Sequence, residues 1–228
     1  MTDLPQPSSS NMPFTVLWDN DGVLVDTEEL YFQATKSILK TVGIELTPEQ
    51  FKDISLRRGE STFTLAAQQG FSNEEIAQLR AQRDRLYEDR LGSQSWAVDD
   101  VEEVLRSLHD QIRMGVVTST RRQHFEIAHA RTGLKKYLDF VMAHEDYQRS
   151  KPHPDPYLTA MERHGLRPDE CIVVEDSERG LTAAMAAGLE CLVVLSQWTK
   201  DGDFRGARKV LENVSCVPEE VLRWASRR

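Results

Sequence analysis

Four short apolar runs stand out along the chain, at residues 14–18, 112–118, 171–175 and 191–195. Each run is apolar at nearly every position, which is typical of strands that are buried on both faces of a parallel sheet. A weaker run at residues 140–143 is a further strand candidate. The pattern therefore predicts a parallel β-sheet that is covered by other elements.

Helical patterns alternate with these strands. The predicted helices cover residues 98–109, 122–132, 155–164, 178–187 and 219–224. Strands that alternate with helices indicate βαβ units, in which helices cover both faces of one sheet. We therefore expect an α/β fold with a Rossmann-like core of three layers.

The segment between the first two strands breaks this alternation. Residues 27–94 contain no convincing strand, and signals for helix starts recur at Thr47-Pro48-Glu49-Gln50 and Ser72-Asn73-Glu74-Glu75. We predict an all-α cap over residues 28–94, inserted into a core formed by residues 14–27 and 95–228. The polar residues 1–13, rich in Ser and Pro, are expected to be disordered.

Composition narrows the function classes. The chain has 228 residues and a net charge of −9, without a basic stripe, which argues against a nucleic-acid partner or an anionic membrane surface. No stretch approaches the ~20 apolar residues of a membrane helix. The three cysteines lack CxxC spacing and favour a reducing, cytoplasmic setting. A monomer is the default expectation.

Chemically active side chains gather around the predicted strand ends, where ligands bind in open α/β sheets. The carboxylates are Asp19, Asp21, Glu175 and Asp176, and the candidates for phosphate binding are Asn20, Thr118, Ser119 and Lys151. Carboxylates at one sheet edge repel each other unless a cation neutralises them, and a hard ion such as Mg²⁺ suits oxygen ligands. A lysine and a hydroxyl beside that ion suit a phosphoryl group.

Asp19 and Asp21 are two positions apart, so their side chains point the same way if the backbone is extended. Two carboxylates near one phosphorus atom can divide the work. One attacks phosphorus and forms an aspartyl phosphate. The other protonates the leaving oxygen and then activates water.

Four motifs carry a resemblance to a known family. Trp18-Asp19-Asn20-Asp21-Gly22-Val23-Leu24 resembles the first motif of the haloacid dehalogenase-like (HAD) hydrolases, and Thr118, Lys151 and Glu175-Asp176 resemble the next three in order. The runs Asp26-Thr27-Glu28, SKPHPDPY and VVEDSERG resemble the branch of β-phosphoglucomutase and phosphoglycolate phosphatase, which has a helical cap after the first motif. The resemblance extends from residue 14 to about residue 195.

This resemblance implies a role for each matching residue. Asp19 is the nucleophile and a Mg²⁺ ligand, and Asp21 is the general acid and base, whose backbone carbonyl also binds the metal. Thr118 and Lys151 hold the phosphoryl group. Asp176 is a metal ligand, and Glu175 is a ligand or its outer-sphere partner. The presence of Asp21 favours phosphoryl chemistry over carbon–halogen cleavage.

Some positions depart from the family pattern. Asn20 occupies a position that more often holds an apolar residue, where only the backbone is expected to matter. Tyr31 occupies the position of a histidine in the mutase, and the mutase's substrate loop is scrambled here as Arg57-Arg58-Gly59-Glu60-Ser61. Glu28, Arg57 and Arg58 are candidate substrate contacts at the cap.

The leading interpretation is a Mg²⁺-dependent phosphatase for a small phosphorylated metabolite, such as a sugar phosphate, acting through an aspartyl phosphate. The departures in the cap weaken the alternative of a phosphomutase similar to β-phosphoglucomutase. A non-catalytic protein of the same fold that binds a phosphate ligand is the more distant alternative.

Overall fold

The computed structural model describes residues 12–228, so the expectation of disorder at residues 1–13 falls almost entirely outside the described part of the chain. Six strands form one parallel sheet in the order β3-β2-β1-β4-β5-β6. They are β1 (Thr15–Trp18), β2 (Arg113–Val117), β3 (Phe140–Met142), β4 (Cys171–Glu175), β5 (Glu190–Val194) and β6 (Lys209–Leu211). All five predicted strands are confirmed. The sequence did not predict β6 because two of its three residues are exposed, which leaves no apolar run.

Helices cover both faces of this sheet. The core helices are α5 (Val101–Leu108), α6 (Arg122–His129), α7 (Asp155–His164), α8 (Glu178–Ala186) and α9 (Val217–Ala225). One face of β1 packs Val16 and Trp18 into a cluster with α5 and α9, and the opposite face packs Leu17 against residues of α7 and α8. The expected three-layer, Rossmann-like α/β core is confirmed. None of the described helices is long and apolar enough to cross a membrane.

Helices form the segment that is inserted between β1 and α5. They are α1 (Glu28–Thr41), α2 (Pro48–Phe51), a π-helix (Lys52–Arg57), α3 (Thr64–Gln68) and α4 (Asn73–Leu91). Residues 28–91 are all described and contain no strand. Capping boxes at Thr47 and Ser72 start α2 and α4, at the two signals found in the sequence. The inserted all-α cap is confirmed, whereas its boundaries at residues 28 and 94 stay a prediction.

The cap has its own apolar centre and also packs on the core. Phe32, Phe51 and Phe63 belong to a buried cluster that includes Trp198 of the core. The Trp198 ring lies 5.2 Å from the Phe32 ring and 5.3 Å from the Phe51 ring, measured between centroids. Aromatic pairs at these spacings stabilise the contact beyond the area they bury. The cap therefore packs against the core at the loop that follows β5.

Two chain segments connect the cap to the core, and they lie side by side. The Asp26 amide donates to the Trp96 carbonyl at 2.8 Å, and the Val98 amide donates to the Leu24 carbonyl at 3.1 Å. Since β1 ends just before the first segment, this pairing places the cap over the carboxyl ends of the strands. Chemistry at those ends is therefore covered by the cap.

Candidate active site

Three carboxylates meet at the carboxyl ends of β1 and β4. Asp19 directly follows β1, and Glu175 is the last residue of β4. The two strands are parallel neighbours at the switch point of the sheet. The strands β2 and β3 lie on one side of β1, and β4, β5 and β6 lie on the other. One oxygen each from Asp19, Glu175 and Asp176 lies within 4.8 Å of the others, and all three residues are buried. The structure thus brings together three of the four predicted metal-site residues.

Lys151 completes this group, which we call the strand-end cluster (Asp19, Lys151, Glu175 and Asp176). Its ammonium donates to Asp19 Oδ1 at 2.7 Å, to Glu175 Oε1 at 2.6 Å and to the Val117 carbonyl at 2.7 Å. Only 2% of the lysine is exposed. The Tyr157 hydroxyl also donates to Glu175 Oε1, at 2.8 Å. Every proton of the buried ammonium therefore has an acceptor.

The strand-end cluster carries more negative charge than one lysine balances. Burial, together with the charge of Glu175, raises the pKa of Asp19 to about 7 against the opposing effect of Lys151. Burial and the charge of Asp19 also raise the pKa of Asp176 well above its usual value. For Lys151, burial lowers the pKa, but the two carboxylates outweigh it and hold the ammonium charged. A crowded group of carboxylates offers only oxygen atoms as ligands. A hard divalent cation binds such ligands and neutralises their charge.

Glycine at two positions makes room for these carboxylates. Gly22 has a φ of +82°, and a Cβ atom there would lie 2.2 Å from Asp176 Oδ2. A Cβ atom on Gly180 would lie 1.9 Å from Glu175 Cδ. Any larger side chain would displace a carboxylate, so the backbone is shaped around the acidic group. This close fit supports the assignment of Asp19, Glu175 and Asp176 as a cation site.

Asp21 is held by hydroxyl groups rather than by a cation. Thr27 donates to Asp21 Oδ1, and Thr120 donates to Asp21 Oδ2 at 2.5 Å. One oxygen of the Asp21 carboxyl group is therefore held by a residue next to the cap, and the other is held by a residue of the core. Thr27 precedes α1 of the cap, and Thr120 lies in the loop after β2. Asp21 lines the main cavity, so it can reach a bound ligand.

The loop after β2 presents hydroxyl groups to the same region. Thr118 is buried, and its Oγ1 accepts a hydrogen bond from the Thr120 amide at 3.0 Å. Ser119 lines the cavity, and its buried Oγ has no hydrogen-bond partner among the described residues. A buried hydroxyl without a partner is costly unless a ligand or water completes it. Ser119 is therefore available as a donor to a phosphoryl oxygen.

Asn20 faces the opposite way from the two aspartates. Its side chain is fully buried, and Oδ1 accepts a hydrogen bond from His129 at 2.7 Å. The side chain is therefore used inside the core, and a contribution of the Asn20 backbone to phosphate binding stays a prediction.

A cavity of about 390 Å³ lies between the core and the cap. Its lining is largely polar, with hydroxyl, carboxyl and guanidinium groups. The guanidinium groups come from Arg80 and Arg83 of α4, from Arg121 and from Arg179. Arg83 is 7% exposed, and its guanidinium lies 4.3 Å from the centre of the Tyr31 ring. The cavity can therefore take a small polar anion next to Asp21.

Glu28 lines this cavity, and its role as a substrate contact stays a prediction. It is 9% exposed, and its Oε2 atom has no hydrogen-bond partner among the described residues. Burial raises the pKa of Glu28 well above its usual value, and the charges of Asp21 and Asp176 raise it further. An unpartnered carboxyl oxygen can accept a hydrogen bond from a ligand hydroxyl.

Arg57 and Arg58 are not at the cavity, which corrects their assignment as substrate contacts. Arg57 Nε lies 3.3 Å from Glu178 Oε1 on the core, and Arg58 pairs with Asp53 and Glu60 within the cap. Both arginine side chains are about half exposed, at 47% and 48%. The π-helix ends at Arg57 and turns this end of the segment toward solvent and α8.

Sequence reasoning missed the cap residues that do line the cavity. Arg80 and Arg83 lie three positions apart on α4, so they share one helix face. That spacing was a usable signal, but α4 is rich in charged residues and several of its faces look alike. Thr120 was also missed, although it stands two positions after Thr118 and therefore faces the same side of an extended loop.

The chain is similar in sequence to a known family and to curated proteins. The family described as haloacid dehalogenase-like hydrolase matches residues 16–194. The chain is 28% identical over 215 residues to a phosphorylated carbohydrates phosphatase of Thermotoga maritima, covering 91% of this chain and 95% of that protein. It is 29% identical over 185 residues to the fructose-1-phosphate phosphatase YqaB of Escherichia coli, covering 78% of this chain and 95% of that protein.

Solved structures share the fold. The β-phosphoglucomutase of Clostridium difficile superposes with a TM-score of 0.79 at 19% identity, covering 95% of this chain and 98% of that one. CbbY of Rhodobacter sphaeroides, solved in complex with phosphate, gives a TM-score of 0.76 at 23% identity, covering 88% and 94%. At these identities, the likeness concerns the arrangement of core and cap and not the reaction.

Proposed function

Because this chain belongs to the haloacid dehalogenase-like hydrolases, we propose that it is a Mg²⁺-dependent phosphatase that hydrolyses a small phosphorylated metabolite through an aspartyl phosphate on Asp19. Membership of this family and the phosphatase relatives confirm the broader expectation of a phosphoric monoester hydrolase. The convergence of Asp19, Lys151, Glu175 and Asp176 at two neighbouring strand ends carries the proposal.

Asp19 and Asp21 divide the chemistry. The Asp19 carboxylate attacks phosphorus, and the bond from phosphorus to the ester oxygen breaks as Asp21 gives that oxygen a proton. Asp21 then removes a proton from a water molecule that attacks the phosphorus of the aspartyl phosphate. This second step releases inorganic phosphate and restores Asp19. The hydroxyl groups of Thr27 and Thr120 hold Asp21 in place through both proton transfers.

The cation site supports this reaction by balancing charge. Asp19, Glu175 and Asp176 would hold Mg²⁺, which neutralises carboxylate and phosphoryl charge when it is bound. Lys151 is tied to Asp19, so its ammonium can attract a phosphoryl oxygen toward the nucleophile. Thr118 and Ser119 then face the remaining phosphoryl oxygens as donors. The cap covers the strand ends and keeps bulk water from competing during transfer.

The cavity favours a phosphorylated carbohydrate. Its polar lining offers the unpartnered carboxyl oxygen of Glu28 and the guanidinium groups of Arg80 and Arg83, which suit hydroxyl and anionic groups. Two relatives are named for phosphorylated carbohydrates and for fructose 1-phosphate. We therefore propose a sugar phosphate as the substrate class. We also propose that the protein acts in the cytoplasm as a monomer.

A phosphate-release screen tests this function. The panel contains sugar phosphates, phosphoglycolate and nucleotides, each with Mg²⁺ and with EDTA. We expect Mg²⁺-dependent release of phosphate from at least one sugar phosphate. Net isomerisation of a hexose phosphate that needs a bisphosphate activator, with slow phosphate release, would instead make the chain a phosphomutase. Absence of turnover across the panel would favour the binding-protein alternative.

A further inference from the structure

A buried polar contact lies behind the loop that carries the two aspartates. Asn20 Oδ1 is 2.7 Å from His129 Nε2, although the two residues are 109 positions apart. Their exposed fractions are 0% and 3%. Because a carbonyl oxygen can only accept, Nε2 carries the proton in this orientation of the amide. A buried amide oxygen and a buried imidazole both cost stability when they are unpaired, so each requires the other, whereas Asn20 Nδ2 is buried without a partner among the described residues.

The rest of the molecule fixes the orientation of His129. It is the last residue of α6, and its ring centroid lies 4.3 Å from that of Phe125. Its Nδ1 atom is 3.1 Å from Thr132 Oγ1. Burial lowers the pKa of His129 to about 4, so the ring is neutral near pH 7. A neutral ring has one donor and one acceptor, and both are used here.

The backbone of Asn20 organises the loop of the first motif. Its carbonyl oxygen accepts from three amides, those of Val23 at 3.3 Å, Leu24 at 2.8 Å and Val25 at 3.0 Å. Asp19 and Asp21 flank it and face the strand-end cluster and the cavity. A displacement of Asn20 would therefore move both carboxylates.

The same helix also borders the second catalytic loop. α6 begins at Arg122, directly after the loop in which Thr120 donates to Asp21 at 2.5 Å. His129 at the other end of α6 holds Asn20. The loop that carries the two aspartates is thus bonded to both ends of α6. His129 at the end of the helix holds Asn20, and Thr120 just before its start holds Asp21.

We propose that Asn20 and His129 are positioning residues that keep Asp19 and Asp21 aligned with each other for the two phosphoryl-transfer steps. This inference rests on the proposed roles of Asp19 and Asp21. Neither Asn20 nor His129 lines the cavity, so the pair acts through the backbone of the loop. In a chain with an apolar residue at position 20, packing alone would have to hold this loop.

Four variants separate a positioning role from a merely structural one. His129→Phe keeps a flat ring against Phe125 but loses the N–H donor, whereas His129→Gln keeps a donor of similar reach. Asn20→Leu supplies an apolar side chain, and the double variant Asn20→Leu/His129→Phe leaves neither polar group. Each is assayed for kcat and KM with p-nitrophenyl phosphate at saturating Mg²⁺, and for thermal unfolding.

The expected result is a loss in kcat rather than in binding. His129→Phe lowers kcat about tenfold and changes KM by less than about twofold, because misalignment affects the transition state more than ground-state binding. Asn20→Leu does the same, and His129→Gln retains kcat to within about threefold. The double variant loses less than the product of the two single losses, since it leaves no buried group unpaired.

Two outcomes overturn the positioning role. The first is a lower melting temperature of His129→Phe with wild-type kcat, and the second is multiplied losses in the double variant. Asn20→Leu carries the same prediction if His129→Phe is recovered unfolded. Asp19→Asn in the same assay separates the two levels of inference. Activity retained by Asp19→Asn removes the proposed function, whereas an inactive Asp19→Asn beside an unaffected His129→Phe removes only the positioning role.

Discussion

The strand-end cluster and the cap side of the cavity are built in different ways. Lys151 in the strand-end cluster is 2% exposed and makes three hydrogen bonds of 2.6–2.7 Å to fixed groups. The cap side, which we call the cap wall, is defined by Tyr31, Glu60, Arg80, Arg83 and Asp84. Arg80 in that wall is exposed and makes no hydrogen bond or ion pair with the described residues, and its guanidinium lies 6.0 Å from the Phe63 ring, whereas Arg83 in the same wall is buried.

This difference suggests that the strand-end cluster carries the reaction and that the cap wall binds the substrate. A buried cluster whose lysine has an acceptor for each of its three protons is organised before any substrate arrives, which suits groups that must stabilise a transition state. An exposed arginine can adjust to the ligand and contributes to binding. We therefore expect substitutions in the strand-end cluster to change kcat and stability together, and substitutions in the cap wall to change KM.

The largest effect is expected at Lys151. Lys151→Met leaves Asp19 and Glu175 buried without their cation, so we expect kcat to fall by about a thousandfold. Losing one partner of a buried ion pair also costs about 3–5 kcal/mol of unfolding free energy. Phosphate release and urea unfolding measure the two effects. Lys135→Met is the control, because Lys135 is half exposed and pairs with Glu126 at the surface. Similar behaviour of the two variants would remove the distinction of the strand-end cluster.

A smaller effect is expected from His129 as the pH falls. Burial lowers its pKa to about 4 in the folded chain, against about 6.5 when unfolded. Between these values only the unfolded chain binds the proton, so the contribution of His129 is complete above pH 6.5 and is lost as the pH falls toward 4. The full loss is about 3 kcal/mol. Urea unfolding from pH 7.5 to 4.5 checks this against His129→Gln, whose stability should decline less steeply. Parallel curves would contradict the assignment.

The smallest effect is expected in the cap wall. Arg80→Ala should raise the KM of the best sugar phosphate by about fivefold to tenfold and leave kcat within about twofold. Arg85→Ala is the matched control, at an exposed arginine of the same helix that does not line the cavity. Its kinetic constants should match those of the wild type. A KM effect from Arg85→Ala as large as that from Arg80→Ala would contradict the place of Arg80 in the cap wall.

The sequence predicted the core better than the cap for a physical reason. Parallel strands that are buried on both faces appear in the sequence as continuous apolar runs, and their carboxyl ends meet at one edge of the sheet. The sequence alone therefore predicted that Asp19 and Glu175 lie close together. The short edge strand β6 has no such run.

The positions of cap side chains depend on how the helices pack. Arg57 is the last residue of a π-helix that no periodicity signalled, Arg58 follows it, and neither side chain lines the cavity. Arg80 and Arg83 reach the cavity because α4 packs across α1 and α6. The contact between Asn20 and His129 spans 109 positions, and only the fold brings the two side chains together.

The most direct measurement of the central claim is phosphate release by Asp19→Asn. The wild type should release phosphate from a sugar phosphate with Mg²⁺, lose that activity with EDTA, and regain it when Mg²⁺ is restored. Asp19→Asn should lose at least ~10³-fold in kcat while it remains folded, because the amide cannot act as the nucleophile. Asp203→Asn, at an exposed aspartate paired with Arg205, should retain full activity. Full activity of Asp19→Asn under the same conditions would contradict the account.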